Sequence, residues 1–353
     1  MGLNTLIMID RLPDPEMDLA DKIEVTEKMD QPTTYSIHYS VDICDGDISR
    51  LKETRLNPGS EMSIMVPEES GLMNCLVKGP VTSQQISIKE GGAGSWMQVG
   101  GSDQTIKMGR EFRSKVWGFT TDSQVVATIL ATEYQLIPRV DFTSTIHTEL
   151  TNELVQRSDD LRFIRQLASR NGFHFWIDCN PVGIETGNFR KPDLNASPKV
   201  TLNMNQEGCN VTELSINWDT ERPTSVENQQ LDTSSKNVMN NGSANPQVQS
   251  PLGSQSLRQI QGGATHSTHL VAPSNDGNTA GSEALLQESD WFVNANCNTT
   301  YRKIKKVLHV YDIVEVQGVG SRHSGKYMVA SVKHIIDETA HRMEIDLVRN
   351  AWD

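Results

Sequence analysis

VQRSDDLRFIRQLASRNGFHFWI, residues 155–177, holds a helix start, a buried stripe and a stop in one stretch. Ser158 or Asp159 stands where a side-chain oxygen accepts from the first free N–H groups of a helix. Leu161, Ile164, Leu167 and Ala168 recur at the three- and four-residue spacing of an apolar face, and Gly172 supplies a left-handed stop. Phe173–Ile177 (FHFWI) follows at once as an aromatic strand that packs on that helix. A helix turning so tightly into a strand predicts a small α+β unit. Asp159 and Asp160 are explained by the positive end of the helix dipole and need no catalytic role.

Upstream, Asp122 or Ser123 caps a second helix. Its residues Val125, Val126, Ile129 and Leu130 share a face, and it ends before Pro138. Before that the chain is a run of short alternating segments. Thr34–Ile43 puts Tyr35, Ile37, Tyr39, Val41 and Ile43 on one side, the period of a half-buried strand. Glu61–Val66, Gly71–Lys78, Gln84–Lys89, Ser95–Val99 and Lys115–Phe119 are further strands separated by Pro, Gly and Asn. Strands this short and evenly spaced predict an antiparallel barrel or sandwich.

Downstream, strand patterning resumes at Lys199, runs through VTLNM and VTELSINWD, and stops at Glu221–Pro223. Residues 227–282 are rich in Ser, Asn, Gln and Gly with no apolar period, and read as a polar insertion, mobile or ordered only by partners. A last helix is expected from Glu283 to about Lys303, then strands at Val307–Gln317, Lys326–Lys333 and Arg342–Val348. The expected organisation is a first β-barrel module over 1–121 and a small α+β module over 122–198. A second β-barrel module spans 199–226 and 283–353, interrupted by the 227–282 linker. The two β regions can be structural duplicates with diverged sequences.

The 353 residues carry a formal charge of -13. Nucleic acid and anionic lipid both demand clustered Lys and Arg, so neither is an expected partner. The one basic cluster, residues 303–306, reads as a solvated turn or helix end. No apolar run approaches the ~18 residues that cross a bilayer, and the amino terminus lacks the basic start of an export signal, which predicts no membrane insertion and a cytoplasmic start. Cys44, Cys75, Cys179, Cys209 and Cys297 are odd in number, far apart and without a CxxC pair. They are expected to be buried free thiols rather than a disulfide framework or zinc site.

The search for chemistry nominates no catalytic, cofactor-binding or metal residue. GGAGSWMQVGG, residues 91–101, lacks phosphate-loop spacing and reads as a hairpin connection. His266 and His269 lie in the polar insertion without a carboxylate or Cys at ligand spacing. His174, His323, His334 and His341 fit strand faces and turns. Glu68 and Glu69 are neighbours in sequence, which says nothing about the separation a glycosidase needs.

The quoted stretch also resembles the VgrG spike and phage late control protein D family, with Ser158, Asp159, Phe163, Ile164, Leu167, Gly172 and Phe173 in the matching places. VTELSINWDTERPTSV, residues 211–226, is similar to that family's strand ending in an acidic, Arg, Pro turn. VYDIVEVQGVGSRHSGKYMVASVKHIID with MEIDLVRNAW resembles its closing barrel, with a Ser-Gly-x-Tyr turn and a final Arg-Asn. The resemblance covers about residues 115–353 and skips the insertion. It implies a baseplate hub of a contractile phage tail or injection system: mainly β with α+β insertions, two tube-like antiparallel β-barrels, and a homotrimer forming a pseudo-six-fold ring. Implied partners are a spike protein, expected as a separate polypeptide, the inner tube protein, and baseplate and tape-measure proteins. The implied location is the bacterial cytoplasm during assembly and then the particle. The hub of a non-contractile tail is a neighbouring reading. A cell-wall hydrolase or carbohydrate-binding β protein is the alternative from another class.

Overall fold

The computed structural model describes residues 5–15, 17–41, 56–69, 71–90, 92–149, 153–231, 238–240, 249–263, 265–268 and 275–353. The amino-terminal half supplies β1 (Leu6–Ile9), β2 (Lys22–Lys28), β3 (Thr34–Ser40), β4 (Glu61–Pro67), β5 (Met73–Ser87) and β6 (Trp96–Ser102). Alternation does what the sequence predicts in β2 and β3. Ile23 and Val25 point with Tyr35, Ile37 and Tyr39 into one core, shared with Met62, Ile64, Met97 and Val99. The α+β unit follows, with β7 (Arg113–Trp117), α1 (Asp122–Glu133), β8 (Ile137–Val140), β9 (Leu154–Ser158), α2 (Asp160–Asn171), β10 (His174–Cys179) and β11 (Glu185–Arg190).

Past the unit come β12 (Thr201–Asn203), β13 (Val211–Trp218), β14 (Ser225–Leu231), β15 (Val238–Asn240), β16 (Thr265–Thr268) and α3 (Asn275–Ser289). The chain ends in β17 (Val293–Thr300), β18 (Ile313–Gln317), β19 (Gly325–Asp337) and β20 (His341–Arg349), followed by a two-residue bridge.

The strand order in the first half is β2-β3-β6-β5-β4-β1, and in the second it is β13-β17-β20-β19-β18-β12. Taken in chain order, these are the same six positions twice. The outermost pair differs, since β1 runs antiparallel to β4 whereas β12 runs parallel to β18. Each half has its own apolar core; that of the second is built from Leu202, Phe292, Val293, Val314, Val316, Tyr327, Val329, Ile345 and Leu347. The halves join because β19 pairs antiparallel with β2, Ser331 opposite Lys28 through to Asp337 opposite Lys22, so one 13-stranded sheet spans both. The pairings among the described residues run along this sheet and close neither half into a ring.

The long strands make the join possible. β5 pairs with β4 over Met73–Pro80, then with β6 over Val81–Ser87, with a bulge at Thr82. β19 pairs with β18 over Gly325–Met328 and with β2 over Ser331–Asp337, with its bulge at Ala330. The segments expected as separate strands at Gly71–Lys78 and Gln84–Lys89 are therefore one strand. Pro80 falls where the ladder changes partner and its missing N–H leaves no gap there. Two glycines allow the close crossing: a Cβ on Gly79 would lie 1.9 Å from the Ser102 carbonyl, and one on Gly101 2.3 Å from the Tyr35 ring.

Other expectations are corrected. Residues 293–300, assigned to a helix from Glu283 to about Lys303, form β17, with Val293, Ala295, Cys297 and Thr299 buried; the helix ends at Ser289. Of Val307–Gln317 only Ile313–Gln317 is strand. The insertion over 227–282 is not without structure. It carries β14–β16 and most of α3; Leu257 is buried in the second core and Leu252 in a smaller cluster with Leu194, Ile313 and Met328. The cap of α1 is Thr121, which accepts from the Gln124 N–H while the Gln124 side chain accepts from the Thr121 N–H. Cys75 and Cys179 form a disulfide, correcting the expectation of free thiols throughout: the fold brings β5 and the end of β10 to a Cα separation of 5.6 Å across 104 residues of sequence. Cys209 is free and exposed, and Cys297 free and buried; Cys44 lies outside the described residues.

Candidate functional site

Three features could carry function: the seam between the halves, the α+β unit that leans on it, and the carboxy-terminal lock. At the seam, sheet alternation turns Glu27 of β2 inward, against the loop before β18 and against β19. His309 Nδ1 lies 2.9 Å from Glu27 Oε1 and His309 Nε2 2.9 Å from Asn74 Oδ1, while the Val310 N–H donates to Glu27 Oε2 at 3.2 Å. His334 on β19 is fully buried, 3.7 Å from Glu27 and 3.0 Å from His341 on β20. Burial by itself would raise the Glu27 carboxyl, but His309 and His334 hold it well below the carboxylate range. Burial works to lower His309, and Glu27 outweighs it, so that imidazole is raised. Burial lowers His334, and lowers His341 to about 3. The outcome is an anion and one favoured cation tying β2 to the loop before β18, with two imidazoles held neutral behind them.

A crevice of about 530 Å³ opens beside this cluster, lined by Glu27, Asn74, Trp176, Asp178, His309 and Tyr311. The Cys75–Cys179 bridge forms part of its wall and fastens the α+β unit to the sheet. His174 Nδ1 reaches Asp30 Oδ2 at 2.7 Å, and Trp176 packs on Tyr311 at 4.2 Å between ring centroids. FHFWI therefore supplies one face to its own unit, through Phe175, and the other to the seam. No group of three or more His, Cys, Asp or Glu among the described residues has the arrangement of a metal site.

Inside the α+β unit the start of each helix is a polar hub. Asp159 caps α2 by accepting from the Arg162 N–H at 2.8 Å, and Phe163, Ile164, Leu167 and Ala168 make the buried stripe, with Leu161 only partly covered. Asp160 is buried and accepts from Gln156 Nε2 at 2.6 Å and Tyr134 OH at 2.7 Å, with the Arg113 guanidinium 3.2 Å away. Asp122 at the start of α1 meets His147 at 2.9 Å and Asn171 at 2.7 Å, and Arg170 pairs with it; burial would raise it, but these partners lower it. Gly172 takes φ 63, the left-handed stop that the sequence predicts. Around this unit, apolar side chains face outward: Phe119 is 80% and Phe142 79% exposed.

The carboxy-terminal lock joins the two segments of the late family resemblance. Arg349 is wholly buried, donates to the carbonyls of Ser324 at 3.0 Å, Leu252 at 3.1 Å and Arg322 at 3.3 Å, and lies over the Tyr327 ring. A Cβ on Gly325 would meet Arg349 Nη2 at 2.6 Å, so the turn needs glycine to admit the guanidinium. Asn350 holds the insertion's return, accepting from the Leu252 N–H at 2.8 Å and donating to the Ser250 carbonyl at 3.1 Å.

Of the residues weighed in the sequence, the structure brings His334 and His341 together. His323 instead stands edge-on to Trp352. His269 and the side chain of His266 lie outside the described residues, and Gly92–Ser95 fall in the β5–β6 connection as expected. Lys303 lies within the one-turn helix Tyr301–Ile304 and donates to Thr212 at 3.2 Å. Sequence reasoning missed Glu27 and His309, which are 282 residues apart. Alternation could have flagged Glu27 as the charged residue on the inward face of KIEVTEK.

The family model described as Alg8 N-terminal domain matches residues 19–338. A comparison with curated proteins finds no match. Among solved structures, the chain is similar to a tail protein from Neisseria meningitidis, at TM-score 0.64 and 11% identity, covering 100% of this chain and 98% of that one. The 43 kDa tail protein of prophage MuSo2 from Shewanella oneidensis gives 0.66 and 13%, covering 98% of each. The E. coli c3393 protein, described as a component of the type VI secretion system with structural similarity to T4 tail proteins gp27 and gp5, gives 0.59 and 13%, covering 97% of this chain and 76% of that one. At these identities the likeness is one of fold, and it is the fold of phage tail and secretion-system proteins. No helix among the described residues is long and apolar enough to cross a membrane.

Proposed function

The chain belongs to the Alg8 N-terminal domain family, and from its repeated strand order and its likeness in fold to phage tail and secretion-system proteins we propose that it is a structural baseplate hub of a contractile injection system or phage tail. As a homotrimer it joins a trimeric spike to the six-fold inner tube and nucleates tube assembly. In this reading residues 1–121 and the pair 199–226 and 283–353 are two barrel modules. Residues 122–198 are an α+β module between them, and 227–282 link within the second barrel.

The observation that carries the proposal is the six-strand order that occurs twice in one chain. Three copies then offer six similar modules, which is what a three-fold object needs to meet a six-fold one. The tail-protein folds support the same reading, because those relatives match over nearly the full chain. Partners are the spike, the inner tube protein, and baseplate and tape-measure proteins. The hub acts through shape and strand edges, without turning over a substrate.

Light scattering tests it. A mass of three chains, alone or with a spike protein from the same source, is the expected result, and a monomer that ignores the spike would remove the proposal. Purified peptidoglycan separates it from a hydrolase: no soluble fragments are expected.

A further inference from the structure

The seam that joins the two halves within one chain has an unused duplicate, and we infer that this duplicate is the joint between copies: Ser83–Lys89 of one chain pairs antiparallel with Glu213–Asp219 of the next. The inference rests on the trimer proposed above and names its interface.

Superposing the two strand orders fixes the residues. In the seam, the stretch of β19 beyond its bulge pairs with β2. The counterpart of β19 is β5, whose bulge at Thr82 matches that at Ala330, each facing the neighbouring strand on the same side. β5 beyond Thr82 has β6 on one side and no strand on the other among the described residues. The counterpart of β2 is β13, which pairs with β17 as β2 pairs with β3, and it ends the sheet with its outer edge unpaired among the described residues. Both edges of the seam within the chain are occupied, and both of its duplicates are open among the described residues.

Burial follows the same division. Ile23, Val25, Ile335 and Ile336 at the seam are buried, whereas Thr82–Ile86 are exposed, Ile88 is 62% exposed and Trp218 51%. An apolar strand edge left bare is a template for a second chain.

Register supplies an independent check. Aligning the bulges makes Ser331–Asp337 equivalent to Ser83–Lys89. Following β3 and β6 against β17 and β20 makes Lys22–Lys28 equivalent to Glu213–Asp219. The seam pairs His334 with Val25, Ile335 with Glu24, Ile336 with Ile23 and Asp337 with Lys22. Carried over, Ile86 opposes Ile216, Ser87 opposes Ser215, Ile88 opposes Leu214 and Lys89 opposes Glu213. Apolar residues meet apolar ones on one face, and the opposite charges of Asp337 and Lys22 recur with signs exchanged. A register slipped by one residue would turn Ile86 and Ile88 to the other face and lose both matches. Lys89 and Glu213 are exposed, and among the described residues neither has an ion-pair partner. The contact is head-to-tail, using two different edges, so it generates a closed ring or an open filament.

Cysteine pairing tests the register directly, because opposed residues on antiparallel strands have Cα atoms ~4.5–5.5 Å apart, inside the range a disulfide spans. Ser87→Cys and Ser215→Cys are purified separately, mixed and oxidised, with wild type as the control for its native thiols. A covalent two-chain species that needs both variants is expected, and the double variant S87C/S215C is expected to reach three linked chains. A second measurement avoids cysteine: Lys89→Glu weakens the oligomer, and adding Glu213→Lys to the same chain restores it. If wild type is a trimer and neither the link nor the restoration appears, this interface is wrong while the hub reading stands. If wild type is a monomer at every concentration, with and without the spike, and no link forms, both fall.

Discussion

His341 and Arg349 show how far single side chains in this fold depend on distant ones. His341 is held down to about 3 by burial and by His334 and His309, while in the unfolded chain it titrates near 6.5. The unfolded state therefore takes up a proton first as pH falls, and stability is lost below about pH 6.5; for His341 alone the loss is about 2 kcal/mol at pH 5. His334, also lowered, adds in the same direction. His309 is raised, so its contribution is present at low pH and fades as pH rises through its folded value; Glu27 is lowered and contributes until pH falls through its own. Removing one of the two neutral imidazoles should flatten the acid side: H341Q should lose less melting temperature between pH 7 and pH 5 than wild type, measured by calorimetry. Arg349→Ala leaves the carbonyls of Leu252, Arg322 and Ser324 without their donor, and should cost about 3–5 kcal/mol in urea unfolding. The sequence offered His334, His341 and the Arg349-Asn350 pair singly but not the cluster, because Glu27 and His309 become neighbours only when the two halves meet.

Elements differ in how openly the sequence displays them. α2 could be read almost residue by residue, since its cap at Asp159, its stripe and its stop at Gly172 are local features. β17 could not: Asn294, Asn296 and Asn298 occupy its outward positions, and this polar run beside α3 masks the alternation of Val293, Ala295 and Cys297. β5 was read as two strands because Gly79 and Pro80 look like a turn, and only its two successive partners show why they sit mid-strand. The Thr121 cap was displaced by one residue toward the more familiar Asp122, whose carboxylate instead binds Arg170, His147 and Asn171. Thr121→Ala should cost about 1 kcal/mol, seen as a lower urea midpoint. The disulfide was invisible because Cys75 and Cys179 are 104 residues apart in different units. Reducing agent should lower stability by about 2–4 kcal/mol in wild type and have no effect on C179S, checked by thermal unfolding with and without reductant.

For the whole molecule, the sequence disclosed a mainly β chain, a small α+β unit and the possibility of an internal duplicate. It did not disclose that the two halves share one sheet, since nothing local to β2 or β19 says that they are neighbours. That sharing ranks the sources of stability. Val307 and Ile336 belong by sequence to the second half and pack in the core of the first, so the halves are expected to melt together. A single transition that coincides by circular dichroism and tryptophan fluorescence is the outcome to look for. Two separated transitions would mean that the seam is a docking contact rather than part of one core.

The seam is a hydrogen-bonded ladder, and a ladder has rungs. Two bodies that meet through packed side chains can glide by fractions of an ångström, but β2 and β19 can shift only in whole residues, ~3.3 Å each, and an odd shift turns every apolar side chain outward. The angle between the halves is thus indexed rather than adjustable, much as a toothed coupling fixes the angle between two shafts. Strain applied to one half reaches the other without lost motion until the ladder shears.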